Sequence, residues 1–431
     1  MRVAYYSPLP PSRSGIADYS SLLLPALRDR VEVVVADPGR RAPAADVCLY
    51  HIGNDPDAHG WILDALGRRP GVVVLHEYVL HHLIAGTTIG RRDGRAYLAA
   101  MERELGVAGR LLGLGVLDNL LPLLWETQPE RFPLCGPVLD LAAGLVVHSR
   151  FVERRAREAG YGGPVWRIPH PAWPMEHVTP VADVAGDPLI GCFGFLNMNK
   201  RVPELLRAFA AFRRHRPGAR LLLVGAAAER FDLTRRLERL GLGDGVERLD
   251  YVPEERLWSL MAACDVLVNL RYPTMGETSG SVIRGLSLGK AMIVSDVGSF
   301  AELPSAAVLK VPVDELEVPM LAAALELAAD RKEALGSAAR RFIEREHALD
   351  RVADLYVAAL EDAAGGEAVA DAVLRRVAEA VADVGVTDTT WLAARLAEIG
   401  LGGPSEPASE HGSERGPEPG TDRIRSGALA P

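Results

Sequence analysis

The chain has 431 residues, is 48% hydrophobic and 24% charged, and carries a formal net charge of −9. That length suits two domains with sizeable cores, and the acidic balance excludes a dedicated nucleic-acid binder, which needs a basic excess. The four cysteines, Cys48, Cys135, Cys192 and Cys264, are far apart and mostly sit in apolar segments. Neither a disulfide framework nor a zinc site is indicated, and reduced cytoplasmic thiols are expected. Met1 leads straight into a strand-like run, so no signal peptide is expected, and no apolar run reaches membrane-spanning length.

In chain order, Val3–Ser7, Val31–Asp37, Val47–Ile52, Val72–His76 and Leu145–His148 read as buried strands. Helical segments near 16–28, 58–68 and 96–125 lie between them. This alternation predicts a parallel, doubly wound sheet. The first strand ends in SPLPPSRSGIADYS, a Pro/Ser/Gly loop that opens a helix near Gly15. Amides there are placed to meet a diphosphate, with Ser14 or Asp18 as the helix cap. A loop with one glycine is not by itself a dinucleotide fingerprint.

The fourth strand runs into VVVLHEYVLHH. A helical zinc-protease motif needs two histidines four residues apart, whereas His76 and His81 are five apart, so that chemistry is excluded. His76, at a strand's carboxyl end, is well placed for a ligand; His81 and His82 read as helix-start packing or acceptor contacts. His51 and His59 are candidates to face an acceptor. Ser149, after His148, reads as a helix N-cap. Leu105–Trp125 is the most apolar helix-like stretch, interrupted by Asp118 and Pro122 and accompanied by Arg91, Arg92, Arg95, Arg103 and Arg110. It reads as a core or acceptor-cleft helix, with a membrane-surface helix as the alternative.

A Pro-rich passage at 168–188 breaks periodicity and reads as an interdomain linker. A second set of strands follows at Leu189–Phe195, Arg220–Gly225, Val246–Val252, Val266–Leu270, Met292–Val297 and Val308–Val311, with helices at 202–215, 229–240, 254–263, 280–289 and 317–329. This is again doubly wound, so two such domains face each other across a cleft. Lys200-Arg201 lies between the first of these strands and its helix, placed to neutralise a diphosphate. Asp265, Tyr251-Val252-Pro253 and Glu302 read as structural, Glu302 as a cap on the helix after its own loop. Beyond 330 the pattern is helical, and the polar end lacks apolar periodicity and is expected to be disordered.

The chain is organised around Arg271–Gly298, RYPTMGETSGSVIRGLSLGKAMIVSDVG, which reads as loop, helix and strand after the strand at 266–270. Its loop offers helix-start amides at Glu277–Ser281, and Glu277 suits sugar hydroxyls better than phosphate. This stretch resembles the donor-sugar loop of retaining glycosyltransferases of the GT-B fold, the group-one type of glycosyltransferase family four. In that family a Glu and the amides after it hold the donor sugar, and a second Glu eight positions on holds the ribose. Glu277 matches the first; the second position falls on Gly285 or Arg284. The family's Gly-Arg, four residues, then Lys is matched at Gly194 and Lys200, with Phe195 at the Arg position. The Gly-containing first loop and a His at the end of the fourth strand also resemble the family.

The resemblance covers roughly residues 1–360 and implies two Rossmann-like domains: 1–170 on the acceptor side, a linker at 171–188, and a donor-nucleotide domain at 189–337. It also implies a helix at 338–362 crossing back to the first domain, with further helices at 363–402 and a tail at 403–431. It implies Glu277, His76 and Lys200 as catalytic residues, and Gly15, Arg201, Thr278, Ser279, Gly280, Ser281 and Arg284 as donor-binding residues. The expected activity is metal-independent, retaining transfer of a hexose from a nucleotide-sugar donor to a glycan, lipid-linked or small-molecule acceptor. No cofactor, metal or nucleic acid is expected, and the location is cytoplasmic, with peripheral contact at the inner membrane face. Paired carboxylates for double displacement are not evident, so front-face departure and attack are expected. A nucleotide-sugar epimerase and a non-catalytic sugar-nucleotide-binding protein stay open as alternatives. A dehydrogenase is disfavoured, because neither first strand is followed by Gly-x-Gly-x-x-Gly.

Overall fold

The computed structural model describes residues 1–366 apart from 13, 176–177 and 228–231, together with 374, 377–378, 381–382, 384–385 and 390–398. The chain forms two compact units, Met1–Arg375 and Arg376–Pro431. In the second unit Thr390–Glu398 is helical. The tail expected at 403–431 and most of the helices expected over 363–402 lie outside the described residues.

The first half of the large unit holds β1 (Arg2–Tyr6), β2 (Glu32–Val35), β3 (Val47–Ile52), β4 (Val72–Leu75), β5 (Gly144–Val147) and β6 (Val165–Arg167). All pair in parallel, in the order β2-β1-β3-β4-β5-β6. β3, β4 and β5 are buried along their whole length, which is why they read as unbroken apolar runs rather than alternating ones. β6 was not foreseen: a three-residue edge strand next to Pro164 is too short to show a period. Around this sheet pack α1 (Gly15–Arg28), α2 (Pro56–Arg68), α3 (His81–Thr87), α4 (Gly94–Leu117), α5 (Leu124–Thr127), α6 (Gly136–Leu141) and α7 (Arg150–Glu158).

The helix expected near 96–125 is α4 and the short α5, separated by a turn at 118–123. Gly106 interrupts α4 with φ +64°, a conformation glycine adopts without steric cost. Beyond that break the stretch is two-sided: Val116 and Leu124 are buried in the core with Leu112, Leu117 and Leu121 packed against it, whereas Val107, Leu111 and Leu120 are 69%, 63% and 79% exposed and Leu114 is also exposed. The core-helix reading of Leu105–Trp125 therefore holds for one side of the stretch, while Tyr97, Leu98 and Met101 in the first half of α4 are buried as well. Among the described residues no helix is long and apolar enough to cross a membrane.

The second half holds β7 (Leu189–Phe193), β8 (Arg220–Val224), β9 (Val246–Leu249), β10 (Val266–Asn269), β11 (Ala291–Ser295) and β12 (Val308–Val311), parallel in the order β12-β11-β10-β7-β8-β9. Its helices are α8 (Val202–His215), α9 (Leu233–Leu240), α10 (Glu254–Ala263), α11 (Gly280–Ser287), α12 (Glu317–Asp330) and α13 (Lys332–Glu346). Each sheet has an apolar core on both faces. Asp265 accepts the Leu189 amide and the Lys332 ammonium, tying β7 to α13.

The crossing helix is not continuous over 338–362. α13 stops at Glu346, and α14 (Leu349–Ala364) starts after a break at His347-Ala348. The break exists because the linker pairs with it: Ala172 N–H donates to the His347 carbonyl, and His347 Nδ1 lies 2.7 Å from the His170 carbonyl. α14 then lies on the first sheet, with Val352, Ala353 and Tyr356 in its core. Tyr19 and Tyr356 share a 2.7 Å hydroxyl hydrogen bond, and Arg30 pairs with Asp350 and Asp354.

Glu302 does not cap a helix after its own loop. Its carboxylate crosses to the first half and accepts the Arg150 and Phe151 amides at the start of α7, where a negative charge is favoured by the helix dipole.

Two strand ends in the second half touch through glycine. A Cβ on Gly225, whose φ is +140°, would lie 2.3 Å from the Gly194 carbonyl oxygen. Gly225→Ala is expected to destabilise the fold by about 1–3 kcal/mol, read as a lower urea midpoint. An unchanged midpoint would show that the β7 and β8 ends separate at no cost.

Candidate active site

The carboxyl ends of the two sheets face each other, and the loop after β10 reaches across. The amides of Tyr78 and Val79, just after β4, donate to the Met275 carbonyl at 2.8 and 3.0 Å. A Cβ on Gly276 would lie 2.8 Å from the Tyr78 Cβ, so the loops touch backbone to backbone. This contact brings the residues after β4 up to Glu277.

Glu277 is folded onto its own loop. One oxygen accepts the Met275 amide at 2.7 Å and the Thr274 hydroxyl at 3.2 Å; the other pairs with Arg271 at 2.7 Å. Lys200 sits beside this pair, 5% exposed, with Nζ donating to the Phe193 carbonyl. Burial, then the neighbouring Arg271, push its ammonium down to about 8. Gly194 lies against it: a Cβ there would be 3.0 Å from Lys200 Nζ and 3.7 Å from Ser281 Oγ. The start of α11, with Ser279 as N-cap and Gly280 as first residue, thus lies near Lys200 and Glu277. A cavity of about 370 Å³ adjoins it, lined by Thr278, Ser279, Ser299, His148, Glu302 and His347 among others.

Gly15 opens α1, with Ser14 rather than Asp18 as the cap: Ser14 Oγ accepts the Ala17 amide. Asp18 instead reaches across the cleft to Arg284 at 2.8 Å. Arg284 is buried, its guanidinium carbon 3.9 Å from the Trp173 ring centre, and it also pairs with Glu254. Gly285 faces Met292 and Leu267 instead of the cleft. Arg201 does not join Lys200. It is held by the buried carboxylate of Glu317 and lies near Glu204. Phe195, at the family's Arg position, is 54% exposed.

His76 is buried, its Nε2 2.9 Å from His51 Nδ1. His51 and His59 do not face an acceptor, since both are buried, and His59 Nδ1 is 3.1 Å from the His51 carbonyl. His51, His76, His148 and His170 gather around Tyr19. His81 is a packing residue between the Phe132 carbonyl and the Tyr97 hydroxyl. Among the described residues no group of three or more His, Cys, Asp or Glu is placed to hold a metal ion.

Sequence reasoning did not single out Arg271 or Glu77. Arg271 comes two residues after the buried strand β10, and that position was its one available signal.

Residues 187–330 match the family described as Glycosyl transferases group 1. Solved structures extend the likeness over both halves. Sucrose-phosphate synthase from Thermosynechococcus elongatus is 18% identical, with TM-score 0.55, covering 84% of this chain and 98% of that one. HepE from Anabaena, in complex with UDP, is 16% identical with TM-score 0.56, covering 84% and 100%. AviGT4, a glycosyltransferase involved in avilamycin A biosynthesis, is 20% identical with TM-score 0.50, covering 85% and 98%. Among curated proteins none matches. The fold is GT-B. Lys200, Glu277 and the start of α11 lie within the matched residues, and His76 comes from the other half.

Burial holds His51, His76, His148 and His170 below the ordinary histidine range, His148 at about 4. These imidazoles stay neutral in the folded protein while the unfolded chain protonates near 6.5. The stability they confer is therefore present above about pH 6.5 and lost as pH falls from there toward 4, by about 1.4 kcal/mol per pH unit for each histidine that stays neutral. The melting temperature is expected to drop steeply between pH 6.5 and 5; a constant value over that window would refute the account.

Proposed function

We propose that the protein is a retaining glycosyltransferase that moves a hexose from a nucleoside diphosphate sugar to a glycan, lipid-linked or small-molecule acceptor. The observation that carries this reading is the grouping of Lys200, Arg271 and Glu277 beside the start of α11, opposite His76. Two cations and helix-start amides suit the charge that builds on a leaving diphosphate, and in a site sheltered from water such charges act strongly. Arg271 supplies the guanidinium that Phe195 does not. Because Lys200 and Arg271 bring this charge themselves, the reading is of a metal-independent enzyme. The likeness of fold to HepE, whose structures include a complex with UDP-glucose, supports a nucleotide-sugar donor. Glu277 would exchange its own loop contacts for the sugar hydroxyls, and the donor would react on its front face.

The test is a thermal-shift panel with UDP, GDP, ADP and dTDP and their common sugar conjugates, followed by turnover. A ligand at 100 times its dissociation constant stabilises by about 2.7 kcal/mol. Glu277→Ala is expected to lower transfer about a hundredfold or more by misplacing the sugar while keeping nucleotide binding. Lys200→Ala should weaken nucleoside diphosphate binding by roughly 10- to 100-fold, the value of a charged hydrogen bond. Full turnover in Glu277→Ala removes the central claim. Binding without turnover would indicate a binding protein, and conversion of donor without acceptor an epimerase.

The exposed apolar face of Val107, Leu111, Leu114 and Leu120 supports a lipid-linked acceptor met at the cytoplasmic face of a membrane, with these side chains at the headgroup boundary. Flotation with anionic lipid vesicles should carry the wild type upward and leave the Leu111→Asp, Leu120→Asp double variant behind. Equal flotation of both excludes this face as the contact.

A further inference from the structure

Among the described crossovers of the first sheet, the link from β2 to β3, residues 36–46, carries no helix. In the strand order β2-β1-β3-β4 this link runs in the same direction as the one from β3 to β4. A right-handed crossover would therefore lay its helix beside α2, on the same face of the sheet. A cavity of about 760 Å³ is found there instead, bounded by Tyr6 at the end of β1, by the link and by the side of α2. Its size is that of a small-molecule site. None of its lining residues belongs to the group around Lys200 and Glu277.

The walls of this cavity are fixed. Tyr6 stacks on Tyr50 at 4.5 Å, and the Trp61 ring lies 6.1 Å from Tyr6, giving an aromatic side. Tyr50 donates its hydroxyl proton to the Arg69 carbonyl at 2.7 Å. The Arg69 guanidinium holds the link, donating to the Pro43 and Ala45 carbonyls at 3.2 and 2.6 Å. Both lining carboxylates are neutralised: Asp37 pairs with Arg40 at 3.2 Å, and Asp64 pairs with Arg91 at 2.8 Å. Arg41 and Arg68 remain. Both are exposed, and among the described residues neither has a carboxylate partner. In a chain of net charge −9, two unmatched guanidinia beside a fixed aromatic wall call for a ligand with an anionic group and a flat apolar face.

We propose that this cavity binds an acidic saccharide, with a sugar ring against Trp61 and Tyr6 and its carboxylate or phosphate on Arg41 and Arg68. The choice of a sugar rests on the glycosyltransferase reading above. The C–H groups on the face of a pyranose pack against an aromatic ring, and the guanidinium fork matches carboxylate and phosphate oxygens. A neutral glycan uses only the aromatic side, and a free anion uses only the arginines. The cavity thus selects among glycans by charge, separately from any selection at the reacting centre.

The test is isothermal titration of the full chain, without donor, using trigalacturonate, mannose 6-phosphate, maltotriose and inorganic phosphate. One or both acidic sugars are expected to bind with a dissociation constant of about 1 mM or below. Which of them binds tells carboxylate from phosphate. Maltotriose and inorganic phosphate should bind about tenfold more weakly or not at all, and the acidic sugar should be weakened by added salt. The Arg41→Ala, Arg68→Ala double variant is expected to lose about tenfold in affinity, since exposed charges each contribute modestly. Its urea midpoint should match that of the wild type, because neither side chain holds the fold. Trp61→Phe should lose a smaller part. Failure of both acidic sugars to bind overturns the proposal, as does equal affinity for maltotriose or inorganic phosphate, or unchanged affinity in the double variant. Donor binding is followed separately by thermal shift. If a nucleotide sugar binds and neither acidic sugar does, this proposal alone fails. If no nucleotide sugar binds, the glycosyltransferase reading fails, and the titration still decides the cavity.

Discussion

The Met275 carbonyl is the joint on which the site depends. It accepts two successive amides, Tyr78 and Val79, from the opposite half. Such a bifurcated contact fixes the two loops against each other in both distance and direction, which a side-chain pair would not do. Burying a backbone carbonyl and two amides is tolerable only because they satisfy one another. Gly276 follows, where a side chain would strike Tyr78. Glu277 and Glu77 are then neighbours because of where their backbones are held, whatever their side chains prefer. The Glu302 carboxylate on α7 and the return of α14 to the first sheet add two further ties. The joint is therefore supported on several sides.

What this closeness does to charge follows from desolvation. Lys200, Arg271, Glu277 and Glu77 occupy a region with little access to water, where an isolated charge is costly and interactions between charges are strengthened. Lys200 and Glu77 shift in opposite senses for the same cause: burial lowers an ammonium and raises a carboxyl. Deeper in the first half the same penalty keeps the histidines around Tyr19 neutral. The imidazole of His76 thus belongs to a packed aromatic cluster as much as to the cleft, and its ring orientation is set by His51.

The sequence was most legible where burial acts on a single segment. Buried parallel strands such as β3, β4 and β10 announce themselves as apolar runs, and the polar loops at their carboxyl ends mark out Lys200 and Glu277. Residues whose role depends on a partner in the other half were not legible. Nothing local distinguishes Glu77 from a solvated glutamate, or Glu302 from a cap on its own loop. Arg201, adjacent to Lys200 in sequence, separates from it because the left-handed backbone at Arg201 (φ 52°) turns its side chain to Glu317. The apolar stretch after Gly106 is core on one side only, and its exposed side was not legible for the opposite reason. Hydrophobic content shows that a face wants cover, and only the packing shows that this chain does not itself provide it.

The second carboxylate of the family pattern has no match on α11. The family pattern places a carboxylate there, and Arg284 or Gly285 stands instead. Gly285 is pressed against Met292 and Leu267, so a carboxylate at that position would be driven into the core and left without water or a partner. Arg284 faces the cleft, stacked on Trp173 and drawing Asp18 and Glu254 to its guanidinium. The stacking makes that arrangement tenable, because an aromatic face stabilises a guanidinium whose Nε finds no hydrogen-bond partner. Asp18 comes from α1 and Glu254 from α10, so the Arg284 guanidinium is held from both halves of the molecule.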